Sequence, residues 1–82
     1  MAILGLAARY RKIRRRKNEY RHYVLLAAPT LFGDWALVRR WGRLGAERLR
    51  EIVEEFPTQA AAFGAFHTQA ARRRRRGYKR VG

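Results

Sequence analysis

The sequence has no cysteine among its 82 residues, which excludes disulfide frameworks, thiolate zinc sites and thiol nucleophiles together and leaves stability to packing. Histidine is nearly as scarce. His22 and His67 lie far apart with no cysteine between them, so no metal-ligand spacing exists and no metal or cofactor is expected. Only six acids are present, and four of them, Glu47, Glu51, Glu54 and Glu55, cluster among bases, where salt bridging is a better reading than an acid/base pair. There is no glycine-rich phosphate loop and no serine elbow, so no enzyme is expected. Length sets a further bound. A chain this short buries roughly 60 to 65% of its unfolded surface, enough for one small domain with a shallow working face and too little for a deep substrate cavity. Long apolar runs are missing as well. Residues 1–8 are apolar, but they are too few to span a membrane and have no positive region before them to make a secretory signal. The expectation is a soluble cytoplasmic protein, nucleoid-associated if its source is bacterial.

What the chain has in excess is positive charge, +14 in all. Its placement matters more than its total. Residues 9–21 carry eight bases and one acid, residues 72–80 carry seven bases and no acid, and residues 22–71 are neutral, with five of each. Two flanks of +7 repel one another unless a polyanion neutralises them, which points to nucleic acid. An anionic membrane is a poor alternative, because neither run has the interleaved apolar face of an interfacial helix.

The period of the apolar residues changes along the middle. Residues 20–28 are aromatic and branched and predict a strand. Pro29-Thr30 and Gly33-Asp34 punctuate the chain, and residues 35–41 predict a second strand paired back on the first. Residues 48–56 fit a third strand, although their glutamates would also suit a helix. After Thr58, a plausible N-cap, an alanine-rich stretch places Phe56, Ala60, Phe63, Phe66 and Ala70 at helical spacing, with Gly77 as a C′ residue. Phe63 and Phe66 are read as core, and Gly64 as a point of close packing on the sheet. Strands followed by one helix give an α+β domain: a small antiparallel sheet with one helix packed on one face and the other face free.

The second strand ends in Arg39-Arg40-Trp41-Gly42-Arg43-Leu44-Gly45. In an extended strand Arg39, Trp41 and Arg43 share a side. On the free face they would form a stacking plate between two phosphate forks, with Gly42 letting a nucleic-acid backbone approach. Alternatively Trp41 is core under the helix and the arginines reach past it to solvent.

These residues resemble the WGR domain, named for its Trp-Gly-Arg motif and found in DNA-dependent poly(ADP-ribose) polymerases and in small bacterial proteins. The likeness covers residues 18–81. It includes Asn18, Arg21 and Tyr23, the approach Thr30-Leu31-Phe32-Gly33-Asp34-Trp35-Ala36-Leu37, then Trp41-Gly42-Arg43-Leu44-Gly45, the helix with Ala60, Phe63 and Phe66, and the closing Arg76-Gly77-Tyr78. One departure is Ala46-Glu47-Arg48, where the family often has a second glycine. The resemblance implies a twisted antiparallel sheet with one helix. It further implies a DNA contact near a strand end, Trp41 on a terminal sugar or base and Arg43 on the adjacent phosphate.

Two parts are therefore expected: a basic N-terminal arm, residues 1–17, with room for a short edge strand, and a WGR-like domain, residues 18–82, ending in a basic helix terminus and tail. The arginine tracts are either solvated tails reflecting coding composition or arms on the phosphate backbone, namely Arg14, Arg15, Arg16 and Lys17 at one end and Arg72, Arg73, Arg74, Arg75, Arg76 and Lys79 at the other. With Arg39, Trp41, Gly42 and Arg43 they make up the candidate site. The expected function is non-enzymatic binding of double-stranded DNA at its backbone, strand ends or nicks. Alternatives are RNA binding and docking on an acidic protein such as a DNA repair or modification enzyme.

Overall fold

In the computed structural model, which describes residues 5–82, alternation of side chains decides which segments become strands. Strand β1 (Leu6–Arg14) turns Ala8 and Tyr10 inward and Arg9, Arg11 and Ile13 outward. A 3-10 turn at Arg15–Lys17 and Asn18, in the left-handed region at φ 50°, lead into β2 (Glu19–Pro29), where Tyr23, Leu25 and Ala27 are buried. Strand β3 is Trp35–Arg43 and β4 is Arg50–Phe56. Helix α1 (Gln59–Arg75) follows, and a two-residue strand, β5 (Lys79–Arg80), closes the chain. The order is β4-β3-β2-β1-β5, antiparallel throughout. This is the expected α+β architecture, and residues 50–56 are strand rather than helix.

The basic flanks are built into the sheet. Residues 1–4 lie outside the described residues. The rest of the stretch expected as an N-terminal arm supplies a nine-residue strand paired with β2 from Leu6–Ala27 to Arg14–Glu19. Arg9 and Arg11 alternate with the buried Ala8 and Tyr10, and Lys12 and Arg14 continue the inner side past the core to Glu19, so high charge and an amphipathic strand coexist. The expected basic tail is pinned too: the Arg9 amide donates to the Gly82 carbonyl at 3.0 Å and the Val81 amide to the Arg9 carbonyl at 2.8 Å.

Helix α1 begins as expected, with the Thr58 hydroxyl accepting from the Ala61 amide at 3.2 Å. Its buried stripe is Ala62, Phe66, Ala70 and Arg73, flanked by partly buried Phe63. Ala60 faces solvent, so the apolar period is right but its phase is shifted toward Ala62. Phe66, only 4% exposed, packs in a core with Ala8, Tyr10, Tyr23, Leu25, Ala27 and Leu37, while Phe63 meets Trp35 edge-on at 5.6 Å. Helix α1 thus lies over the side of the sheet that carries Leu37. The other side is bare, with Leu26 38% and Val53 52% exposed and Arg40 paired to Glu51 at 3.1 Å.

Gly64 is not a point of close packing. A Cβ built there meets nothing within 4 Å, and the residue is exposed. Because glycine in an exposed helix interior costs backbone entropy, Gly64→Ala should stabilise the fold by about 0.5 to 1 kcal/mol in urea unfolding. Unchanged or lowered stability would mean that the position is constrained by something other than backbone freedom.

Candidate nucleic-acid interface

Register fixes where the motif points. Across β2 and β3, Ala27 pairs with Leu37, Leu25 with Arg39, Tyr23 with Trp41 and Arg21 with Arg43. Arg39, Trp41 and Arg43 therefore share a side with Leu37, which is 1% exposed beneath the helix. The motif lies on the helix-covered side, not on the free side expected from the sequence. Nor is Trp41 sealed under the helix. It is partly buried and packs against the edge of the core where the helix gives out.

Two clefts open at that end and share Glu19, Arg21, Trp41 and Tyr78. One, of about 300 Å3, adds Lys17, Asn18, Tyr20, Gly42 and Arg43. The other, of about 410 Å3, adds Lys12, Tyr23, Arg39, Arg72, Arg73 and Arg76. The Trp41 ring lies nearly parallel to that of Tyr23, at 5.9 Å and 15°. The Arg73 guanidinium sits 4.3 Å from the Tyr23 ring and 5.5 Å from that of Tyr78, and Tyr78 meets Tyr23 edge-on at 5.9 Å. Lys12 caps Tyr78 at 5.7 Å. Aromatic faces and cations thus alternate along the cleft wall, each ring quadrupole attracting the charge beside it.

Several of the cations already have partners. Glu19 is within 3.4 Å of Lys12, 3.9 Å of Arg14 and 3.7 Å of Arg21. Arg39 Nη2 donates to Glu54 Oε1 at 3.1 Å. Arg43 Nη1 donates to the Asn18 carbonyl at 3.3 Å and Nη2 to Asn18 Oδ1 at 3.2 Å, with the guanidinium 5.3 Å from the Tyr20 ring. Arg43 therefore braces the β1–β2 turn. Gly42 also serves the chain itself: a Cβ there would approach Leu49 Cδ2 to 2.8 Å, so Leu49 fills the space expected to admit a nucleic-acid backbone.

The structure brings some of the expected site residues together and leaves others apart. Arg39, Trp41, Gly42, Arg43, Lys17, Arg72, Arg73 and Arg76 line the clefts. Arg14 stands nearby at the end of β1, reaching Glu19, and Arg15 and Arg16 are exposed on the adjoining turn. Arg74 and Arg75 are exposed in the last helical turn and line neither cleft. Lys79 pairs with Arg11 and lines a separate pocket with Ile13, Gly77 and Val81. Sequence reasoning left Lys12, Glu19, Tyr20 and Arg21 out of the site, along with the aromatic partners Tyr23 and Tyr78. A cross-strand partner for Trp41 was the signal that could have found Tyr23. The basic tracts belong to regular elements: residues 9–14 are in strand β1, Arg72 to Arg75 are the last turn of α1, as the expected basic helix terminus, and Arg73, 7% exposed, is the buried charged residue of the described chain.

Among the described residues no group of histidines or acids could hold a metal ion, and no helix is long and apolar enough to cross a membrane.

Comparison with known proteins adds the family. The uncharacterized protein y4dW of Sinorhizobium fredii is 35% identical over 63 residues, which is 77% of this chain and 30% of that protein. The chain thus spans less than a third of the length of that relative. No solved structure matches it. The family model of the WGR domain matches residues 7–82, from the first strand to the pinned tail, and the chain belongs to the WGR domain family.

Proposed function

We propose that this WGR domain is a non-enzymatic module that binds nucleic acid, with double-stranded DNA and its ends or nicks as the preferred form. One observation carries the reading: two adjoining clefts meet at the partly exposed Trp41, and cations from β1, β2, β3 and the end of α1 surround them. An indole at such a junction offers a face for a sugar or base, while guanidiniums on either side hold phosphate oxygens in bidentate fashion. The helix end closes one side of the site. A strand that stops at the indole fits such a blocked floor better than one that runs on in both directions. Arg15, Arg16, Arg74 and Arg75, exposed outside the clefts, add affinity that does not depend on sequence. The work is that of a protein acting beside DNA in the cytoplasm.

With five to eight cations engaging duplex phosphates, log K should fall against log salt with a slope of about −5 to −7. Fluorescence anisotropy at four salt concentrations measures it. A slope near zero would instead favour a docked acidic protein. A nicked or blunt-ended duplex should bind tighter than a covalently closed circle of the same sequence, and equal affinity removes the preference for ends. An RNA competitor of matched length that displaces DNA would reassign the partner.

Trp41→Ala should weaken duplex binding by about 1 to 3 kcal/mol while the protein stays folded, because the indole is only partly buried. Circular dichroism melting run beside the binding assay separates the two effects. A variant that unfolds, or that binds as the parent does, removes Trp41 from the contact.

A further inference from the structure

Arg73 poses a problem that the proposed function does not solve. Its side chain is 7% exposed, and its Nε is buried with no hydrogen-bond partner. Among the described residues no carboxylate lies within ion-pair distance of it, whereas Lys12, Arg14 and Arg21 gather on Glu19 and Arg39 on Glu54. Ring faces attract a cation but accept none of its N–H bonds in the plane of the fork. A buried charge without a counterion is unfavourable, and the guanidinium lines the larger cleft beside Arg72 and Arg76, which have no acid partner among the described residues, the one carboxylate of that lining, Glu19, being engaged by Lys12, Arg14 and Arg21.

We infer that the cleft around Arg73 is an oxyanion seat for a phosphate group, with Arg73 as its floor and Arg72 and Arg76 as its rim. A planar fork held against the Tyr23 and Tyr78 rings is fixed before the ligand arrives, so little side-chain freedom is lost when two parallel N–H bonds form to phosphate oxygens. The seat is at a helix C-terminus, where the dipole opposes an anion. Here the last carbonyls are already occupied. The Arg76 amide donates to the carbonyls of Arg72 and Arg73, the Gly77 amide to that of Arg74 and the Tyr78 amide to that of Arg73. Three guanidiniums with no acid partner among the described residues outweigh what remains. The seat lies on the helix side of the motif and does not require the guanidiniums of Arg39 or Arg43. That its phosphate belongs to a nucleic-acid strand rests on the function proposed above; the seat itself does not.

The experiment follows the arginine Nε–Hε resonances of the 15N-labelled full chain during titration with inorganic phosphate at constant ionic strength, and then adds a short DNA duplex. The Arg73 resonance should move to saturation with one phosphate per chain, while exposed Arg74 and Arg75 drift without saturating. Arg73→Met, similar in length but uncharged, should weaken phosphate binding roughly tenfold or more, and DNA should displace phosphate in the wild type. If Arg73→Met fails to fold, the wild-type titration still decides, together with an Arg72→Gln/Arg76→Gln variant at exposed positions, which should weaken binding without lowering the melting temperature. An Arg73 resonance that stays still, or drifts as Arg74 does, overturns the seat. Persistent duplex binding in that case leaves the nucleic-acid reading intact. Saturation by phosphate that neither DNA nor RNA reverses upholds the seat as one for free phosphate and removes the nucleic-acid reading.

Discussion

The packing of one guanidinium, that of Arg73, against two touching tyrosine rings ties the helix to the sheet. Gly77, at φ 89°, turns the chain out of α1, and the Tyr78 and Gly77 amides then reach back to the Arg73 and Arg74 carbonyls in a Schellman closure. That turn brings the Tyr78 ring onto Arg73, which already lies over Tyr23 of the central strand β2. The same turn sends the chain along β1, so β5 and the tail amides complete the fifth strand. A leucine in place of Arg73 would extend the core to the helix end and close it. The arginine leaves a charge at the boundary between core and cleft.

Simple lengths explain why a cleft exists on the helix side at all. Seventeen helical residues span about 25 Å, whereas the eleven residues of β2 span roughly 35 Å. Anchored near Trp35 through Phe63, the helix covers the Leu37 row, reaches Tyr23 with its last turn through Arg73, and leaves Trp41 and the Arg21–Arg43 row beyond it open. Its side of the sheet is therefore core at one end and open cleft at the other. A residue on that side can be partly buried and still accessible, as Trp41 is.

This geometry also explains what the sequence could reveal and what it could not. Strands β2 and β3 and the helix were legible because their apolar period, turn residues and Thr58 cap agree with the folded structure. That Arg39, Trp41 and Arg43 share a side followed from strand periodicity alone. Which side the helix would take did not, because that depends on whether Leu37 or Val38 is buried, and both are apolar. Strand β1 was obscured by its charge: counting arginines in residues 9–16 hid the alternation that puts Ala8 and Tyr10 in the core. The site was half legible for a related reason. The motif named the residues on β3, but Tyr23, Tyr78 and Glu19 meet it only through strand pairing and the turn after the helix, contacts between residues remote in sequence.

The motif's arginines are thus not the most available cations in the site. Arg39 is held by Glu54 and Arg43 by Asn18, and any anion that drew on them would have to loosen an ion pair or the brace of a turn. The cations of β1 and β2 that line the larger cleft, Lys12 and Arg21, share the carboxylate of Glu19. The cations of that cleft that have no acid partner among the described residues come from the helix end, the basic helix terminus expected from the sequence. On the function proposed above, a polyanion entering there would meet Trp41 as a surface and Arg72, Arg73 and Arg76 as charge. The Trp-Gly-Arg segment then contributes mainly shape: an indole plate set by Tyr23, a braced turn, and a glycine that lets Leu49 pack behind the strand. The contrast between a motif whose arginines are held and a helix terminus without acid partners among the described residues follows from where the acids stand, since Glu19 draws in Lys12, Arg14 and Arg21, Glu54 holds Arg39, and none of them reaches the helix end.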